Sequence, residues 1–453
     1  MTFWHLSRPA CWGLSLAVVP FDSPAQTVAN SRFHGWQTVL LKNELIDLQV
    51  APAIGGRVIS FRLGQFDFLF CNEALVGRTS GPSGVGPNGE WLNYGGEKLW
   101  PAPQGRDGFP GHWNGPPDPV LDGSPHAATI LGSQGGVARL RLTSRDDERS
   151  GVRFSREISL FPGSTRVKID ATMTNVSTVF RRWGIWSVLQ QNAANRTGEG
   201  FDPNIRIYCP LRLKSVYRRG YRVMHGPKDS TSFVIDAAKH RLMARYERKM
   251  GKVGIDSDAG WVATVHGSSG FVLIQKYSFR PESEYPDHAS VEIWLHGPYG
   301  PNAARTDEKT FPYFVETELL SPFAELHPES SYTFSYDWYA TSIGGNHEIV
   351  DCNDAGAVSE PLTIASRRGE YRVTGRFGVF HRGVVDLVAE DLTGQSIGEP
   401  LFRQDVTPLE AVVINQLVHA MPARTDALAL LLRDANGNLI GRLGLALVPP
   451  RQS

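Results

Sequence analysis

The stretch VRFSREISLFPGSTRVKIDATM (Val152–Met173) decides the fold class. Apolar residues recur at every second position: Val152, Phe154, Ile158 and Leu160, then Val167, Ile169, Ala171 and Met173. A strand sends successive side chains to opposite faces, so this period predicts half-buried strands rather than helices. Arg156 falls on the apolar face of the first run, where a guanidinium must be paired or line a wet cavity. Outward from this stretch the same period returns at Ile59, Phe61 and Leu63. It returns again over Trp261–Val265, Phe271–Gln275, Val291–Leu295, Tyr313–Leu319 and Tyr332–Tyr336. Helix signals are weak from about Phe33 to Ala340. The 46 Gly and 30 Pro among 453 residues punctuate short strands and long loops. The expectation is an all-β protein.

A composition shift divides it. All 11 Trp precede residue 339, and the last 109 residues hold only four aromatics. A boundary is therefore expected between Ile343 and Glu360, with a large β domain over 30–342 and a smaller one over 343–453. Strands in the latter are predicted at Glu370–Arg376, Val384–Glu390, Ala411–Leu417, Ala427–Arg433 and Leu439–Leu447. Turn residues such as Asp434-Ala435-Asn436-Gly437 link them, as in a small immunoglobulin-like β-sandwich. Residues 1–29 read as a leader: Arg8, an apolar stretch from Ala10 to Val19, then Ser23-Pro24-Ala25, a secretory pattern. A periplasmic or secreted protein is expected, with a cytoplasmic one as the alternative. No segment is apolar for long enough to span a bilayer. Cys11, Cys71, Cys209 and Cys352 allow one disulfide at most, and buried thiols are the default. Lys+Arg and Asp+Glu are both 46, so no net field would hold a polyanion, and nucleic acid is not an expected partner.

Two segments could carry chemistry. WLNYGGEKLWPAPQ (Trp91–Gln104) gathers Trp91, Tyr94, Glu97, Lys98, Trp100 and Gln104 in sequence that reads as loop. Indole and phenol faces stack on the C–H faces of pyranose rings while polar groups take the hydroxyls, so this is a sugar-site composition. The same aromatics could equally fill a core beneath a long loop. Glu97 and Lys98 are adjacent; in a strand they would point to opposite faces, a constraint that lapses in a loop. The second segment pairs VEIWLHG (Val291–Gly297) with YFVETELLSP (Tyr313–Pro322). Glu316 and Glu318 share one face there with Phe314 and Leu320. A carboxylate on such a face can remove a proton from a sugar hydroxyl, or can pair with Arg57, Arg156 or Lys252. His112, His126, His288 and His296 lack metal-ligand spacing, and no metal or cofactor is expected. There is no Gly-x-Ser-x-Gly elbow and no dinucleotide fingerprint, and the glycine-rich loop Gly77–Glu90 lacks the Gly-Lys-Ser/Thr ending of a phosphate loop; it reads as a mobile flap.

Together GGRVISF (55–61), NYGGEKLWPAPQ (93–104), GKVGIDSDAGWVA (251–263) and YFVETELLSP (313–322) resemble an uncharacterised bacterial domain-of-unknown-function family within the galactose-mutarotase-like superfamily. The resemblance covers about Gly35 to Trp338. It implies a β-supersandwich whose concave face binds carbohydrate, followed here by the C-terminal β-sandwich. Aldose 1-epimerases of that superfamily use a glutamate base and a histidine acid. The glutamate corresponds to Glu316, but where the histidine is expected this chain reads Arg181-Arg182-Trp183-Gly184-Ile185-Trp186, and the next histidine is His225. Lys98, Glu97 or His112 would have to replace it. The resemblance thus implies a sugar held among Trp91, Trp100 and Trp186, with Glu316 as base and Glu97 and Lys98 as further catalytic candidates. Arg57, Tyr94, Gln104 and Glu318 complete the expected ligand contacts. The alternatives are a non-catalytic sugar-binding module and a structural two-domain protein whose aromatics are core.

Overall fold

The computed structural model describes residues 27–105, 113–298, 312–367 and 370–449; most of the leader, Cys11 and His112 lie outside them. Every regular element among the described residues is a strand or a short 3-10 turn. The deciding stretch forms two antiparallel strands, Val152–Leu160 and Val167–Asn175, with alternating buried positions as the period requires. They belong to a sheet of 10 strands, which faces one of 12. In the 12-stranded sheet the centre runs Arg57–Leu63, Glu97–Ala102, Arg181–Asn192, Phe314–Leu320, Val291–Leu295, Gly251–Ile255 and Arg222–His225 in spatial order. All these neighbours are antiparallel.

One continuous apolar core lies between the two sheets, with Phe61, Leu189, Ile293 and Leu319 from one and Phe154, Ile169 and Trp338 from the other. Burying such side chains stabilises by about 1.5–3 kcal/mol each. This is the all-β supersandwich that the period-two runs and the resemblance imply. Residues 351–447 build two four-stranded sheets around a separate core that includes Val373, Phe377, Leu387 and Leu430. A third apolar cluster joins this unit to the 10-stranded sheet through Tyr208, Trp261, Ile274, Tyr339, Ile349 and Phe380. Backbone bonds close the seam: Thr165 donates to the Phe380 carbonyl at 2.9 Å and Arg382 to that of Gly163 at 2.9 Å.

The structure differs from the sequence reading in several places. The leader was expected through residue 29, but a strand begins at Thr27 and pairs with Trp36–Lys42. The strands Gly356–Arg367 and Ser396–Val406 have no counterpart among the predicted ones. The segment read as loop around Lys98 is the strand Glu97–Ala102, buried at all six positions. Gly95 and Gly96 turn the chain into it with φ of 95° and 69°, and a Cβ at either would lie 2.1 Å from the Phe70 carbonyl or 2.3 Å from that of Val58. Only glycine fits there.

Candidate functional site

Strand register sorts the side chains of the 12-stranded sheet. Trp100 lies opposite Trp186, and Trp186 opposite Leu320. Lys98 opposes Val188, which opposes Glu318, which opposes Glu292. Gln190 opposes Glu316, then Trp294, then Lys252, then His225. Directly opposed residues share a face, so these rows form the face turned away from the other sheet. A cavity of about 690 Å³ opens on it, walled by Trp186, Trp294, Lys252, Glu292, Arg222 and His225, with Gln104 and Asp287 at its rim. Trp186 is buried apart from its cavity edge, Trp294 is half-buried, and His225 and Gln104 are exposed.

Five ionisable side chains meet beneath and beside this cavity. Lys252 Nζ lies 2.6 Å from Glu292 Oε2 and 3.0 Å from Glu318 Oε2, and 4.4 Å from the centre of the Trp186 ring. Trp186 Nε1 donates to the same Glu318 oxygen at 2.7 Å. The Oε1 atoms of both glutamates are buried without a hydrogen-bond partner. Alongside, Glu316 accepts from Gln190 Nε2 at 2.6 Å and lies 3.7 Å from Lys98 Nζ. Lys98 Nζ is buried with no hydrogen-bond partner and sits 5.0 Å from the Trp100 ring centre.

Burial governs how these groups hold protons. It pulls the Lys98 ammonium down to about 8, with Glu316 opposing. Burial raises the Glu316 carboxyl, with Lys98 opposing and Glu318 adding to the rise. Burial also lifts Glu318 to about 7; Lys252 opposes this and Glu292 reinforces it. Burial works against the Lys252 ammonium, yet Glu292 and Glu318 hold it above the usual lysine range. A carboxyl such as Glu318 that is partly protonated near neutrality, on the same face as an amine that is partly deprotonated, can exchange protons with a bound hydroxyl compound. Charged groups buried with open valences are also ready to hydrogen-bond a polar ligand.

The expected site residues separate into two groups. Glu316, Glu318, Lys98 and Trp186 come together on the outer face, and Gln104 reaches the cavity rim. Glu97 does not join them. As the strand neighbour of Lys98 it points into the core, where Arg156 pairs with it and Tyr336 and Ser187 donate to it. Arg156 also donates to the Gly56 carbonyl, so its place on an apolar face is explained by pairing between the sheets. Arg57 is fully buried, bonded to Asp122 Oδ1 at 2.7 Å and to the Gly95 carbonyl at 3.1 Å, and does not wall the cavity. Tyr94 is fully buried in a small cluster with Trp36 and Ile59. Trp91 and Trp100 donate to the two oxygens of Asp122 at 2.7 and 3.0 Å, and neither walls the cavity. That carboxylate gathers Arg57 and both indoles, with Trp100 buried and Trp91 half-buried against the core. The glycine-rich loop Gly77–Glu90 is tied to the same region, since Ser80 Oγ donates to the Gly123 carbonyl and Gly84 lies against Pro119.

Glu292, Trp294, Arg222 and Asp287 were not singled out from the sequence. The first two were signalled by alternation, because VEIWL places them on one face; Arg222 and Asp287 carry no local signal. His296 stacks on Phe314 at 4.1 Å, and His126 is half-buried against Gly56. Burial pulls them down to about 4 and about 3. No group of His, Cys, Asp and Glu among the described residues has the arrangement of a metal site. Cys71, Cys209 and Cys352 are free thiols.

Several solved structures are similar to this chain. A TPR-domain containing protein from Parabacteroides distasonis is 15% identical over 69% of this chain and 48% of its own, with a TM-score of 0.45. The chain thus spans about half the length of that protein. A galactose mutarotase-like protein from Lactobacillus casei is 9% identical over 67% of this chain and 99% of its own, at a TM-score of 0.43. Another galactose mutarotase-like protein, from Clostridium acetobutylicum, is 12% identical over 70% and 99%, at 0.44. The sequence profile described as Domain of unknown function (DUF4380) matches residues 36–341, well over half of the chain, and the chain belongs to that family.

Proposed function

We propose that the protein binds a carbohydrate in the cavity on the outer face of the 12-stranded sheet and moves protons on it through Glu316. The observation that carries this reading is the company of the cavity: the indoles of Trp186 and Trp294 beside Lys252 and Glu292, with Glu316 directly across the strand from Trp294. Flat apolar faces next to buried charges with open valences suit a ring that is apolar on its faces and hydroxylated at its edge. The reaction class that fits is proton transfer at the anomeric centre of an aldose, with Glu316 as base. Gln190 and Lys98 position that carboxylate.

A fluorescence titration of the protein against mono- and oligosaccharides tests binding, because two indoles wall the cavity. Saturable quenching by a sugar supports the reading, and no response from any sugar opposes it. Polarimetry on freshly dissolved aldoses tests the reaction. A second reading, a sugar-binding module without catalysis, is favoured by the ties of Glu316 to Gln190 and Lys98, which also suit an anchoring carboxylate. Quenching by a sugar with no acceleration of mutarotation would select it.

A further inference from the structure

Glu292 and Glu318 face each other across adjacent strands on the cavity side of the sheet. Each gives its Oε2 to the same ammonium, Lys252 Nζ, and each keeps a buried Oε1 with no donor in reach. Their Oε2 atoms converge on one nitrogen, at 2.6 and 3.0 Å, so the two carboxyls are close neighbours. Two ionised carboxylates so placed would repel, and each would bury an open acceptor. One proton between them relieves the repulsion: one carboxyl becomes a donor to the other, and two carboxyls, one proton and one ammonium sum to zero charge.

We propose that Glu292 and Glu318 share a single proton between their carboxyls and that this pair is the proton donor of the cavity. The groups that face the pair are Lys252 from Gly251–Ile255, the Trp186 indole from Arg181–Asn192, and Glu316 from its own strand. Lys98 of Glu97–Ala102 lies in the same row, and Arg222, His225 and Asp287 close the cavity around Glu292. The use of the proton rests on the carbohydrate reading above. Glu316 takes the proton of the anomeric hydroxyl, the bond from C1 to the ring oxygen breaks, and the ring oxygen takes the proton of the pair. Reclosure returns both protons, so nothing is consumed. The pair would stand in for the histidine that Arg181–Trp186 lacks.

The test is a ¹³C NMR titration of glutamate side-chain carboxyls in the full-length, sugar-free protein, beside Glu292→Gln and Glu318→Gln. A carboxyl step near pH 7 in the wild type, absent from Glu318→Gln and moved to lower pH in Glu292→Gln, is the expected result. If both carboxyls are fully ionised by pH 5, if the near-neutral step stays unmoved in Glu292→Gln, or if it survives in Glu318→Gln, the shared proton is overturned. A Glu316→Gln control, in which the step should remain, assigns it to the pair even if either pair variant fails to fold. Polarimetry across the same pH range tests the use: aldose mutarotation should fall about tenfold per pH unit above the step. A near-neutral step with no turnover of any aldose keeps the shared proton and overturns the donor role together with the catalytic reading.

Discussion

Glu97 and Lys98 are chain neighbours and both are buried, yet they live in opposite electrostatic worlds. Glu97 faces the core and is fully employed by Arg156, Tyr336 and Ser187. Lys98 faces outward, with Glu316 at 3.7 Å and no hydrogen bond at Nζ. On the inner face Glu97 and Arg156 close on one another and rivet two sheets. On the outer face Lys98, Glu292 and Glu318 leave valences open around a cavity. A buried ion with every bond made reads as architecture; a buried ion with bonds withheld reads as a place prepared for something else.

This contrast can be broken most sharply at the outer face. Glu316→Gln should lower aldose mutarotation by about 10²–10⁴-fold, the usual weight of a general base, while fluorescence quenching by sugar persists. Loss of quenching with turnover intact would reverse the assignment. At the inner face, Arg156→Leu should lower unfolding stability by about 3–5 kcal/mol, because Glu97 is left as an uncompensated buried charge. Lys98→Met, next along the chain, should change stability by under about 1 kcal/mol or raise it, since an under-satisfied ammonium is removed. Chemical denaturation of the two variants makes the comparison, and equal losses would erase the distinction between the faces. Trp294→Ala should weaken sugar binding by roughly 1–2 kcal/mol in a titration. Trp100→Ala should act chiefly on the melting temperature, because Trp100 is core packed on Asp122.

The smallest expected effect is on pH. Glu318 is raised from 4.5 to about 7 in the folded state, so its contribution to stability is full below pH 4.5 and is lost as pH rises through 7. His266 is lowered from 6.5 to about 4, so its contribution is present above pH 6.5 and is lost as pH falls through 4. Thermal melts should therefore be flatter on the alkaline side for Glu318→Gln than for the wild type. An unchanged alkaline limb would argue that Glu318 is ionised throughout.

How far the sequence disclosed this follows the same division of faces. Strands with one wet side, such as Val152–Leu160 and Val167–Asn175, announce themselves by alternation. Glu97–Ala102 is buried on both sides, so its sequence shows no alternation, and Gly95, Gly96 and Pro101 make it look like a loop. That misreading let Glu97 and Lys98 be taken as partners at one site. Ser396–Val406 is an edge strand exposed along most of its length, with too few apolar positions to mark it. Glu316 and Glu318 were legible because one strand places both. The tie of Glu318 to Lys252 spans 66 residues, and only the folded sheet brings those ends together.

The C-terminal unit rests against the back of the 10-stranded sheet, through Tyr208, Trp261, Tyr339 and Phe380, while the cavity opens from the front of the 12-stranded one. A swinging arm needs a pivot, and this seam is bonded by Thr165, Arg382 and Thr341 and sealed with aromatic rings. Anything that grips residues 351–447 therefore holds the cavity mouth aimed away from itself at a set bearing, like a dish on a fixed mast.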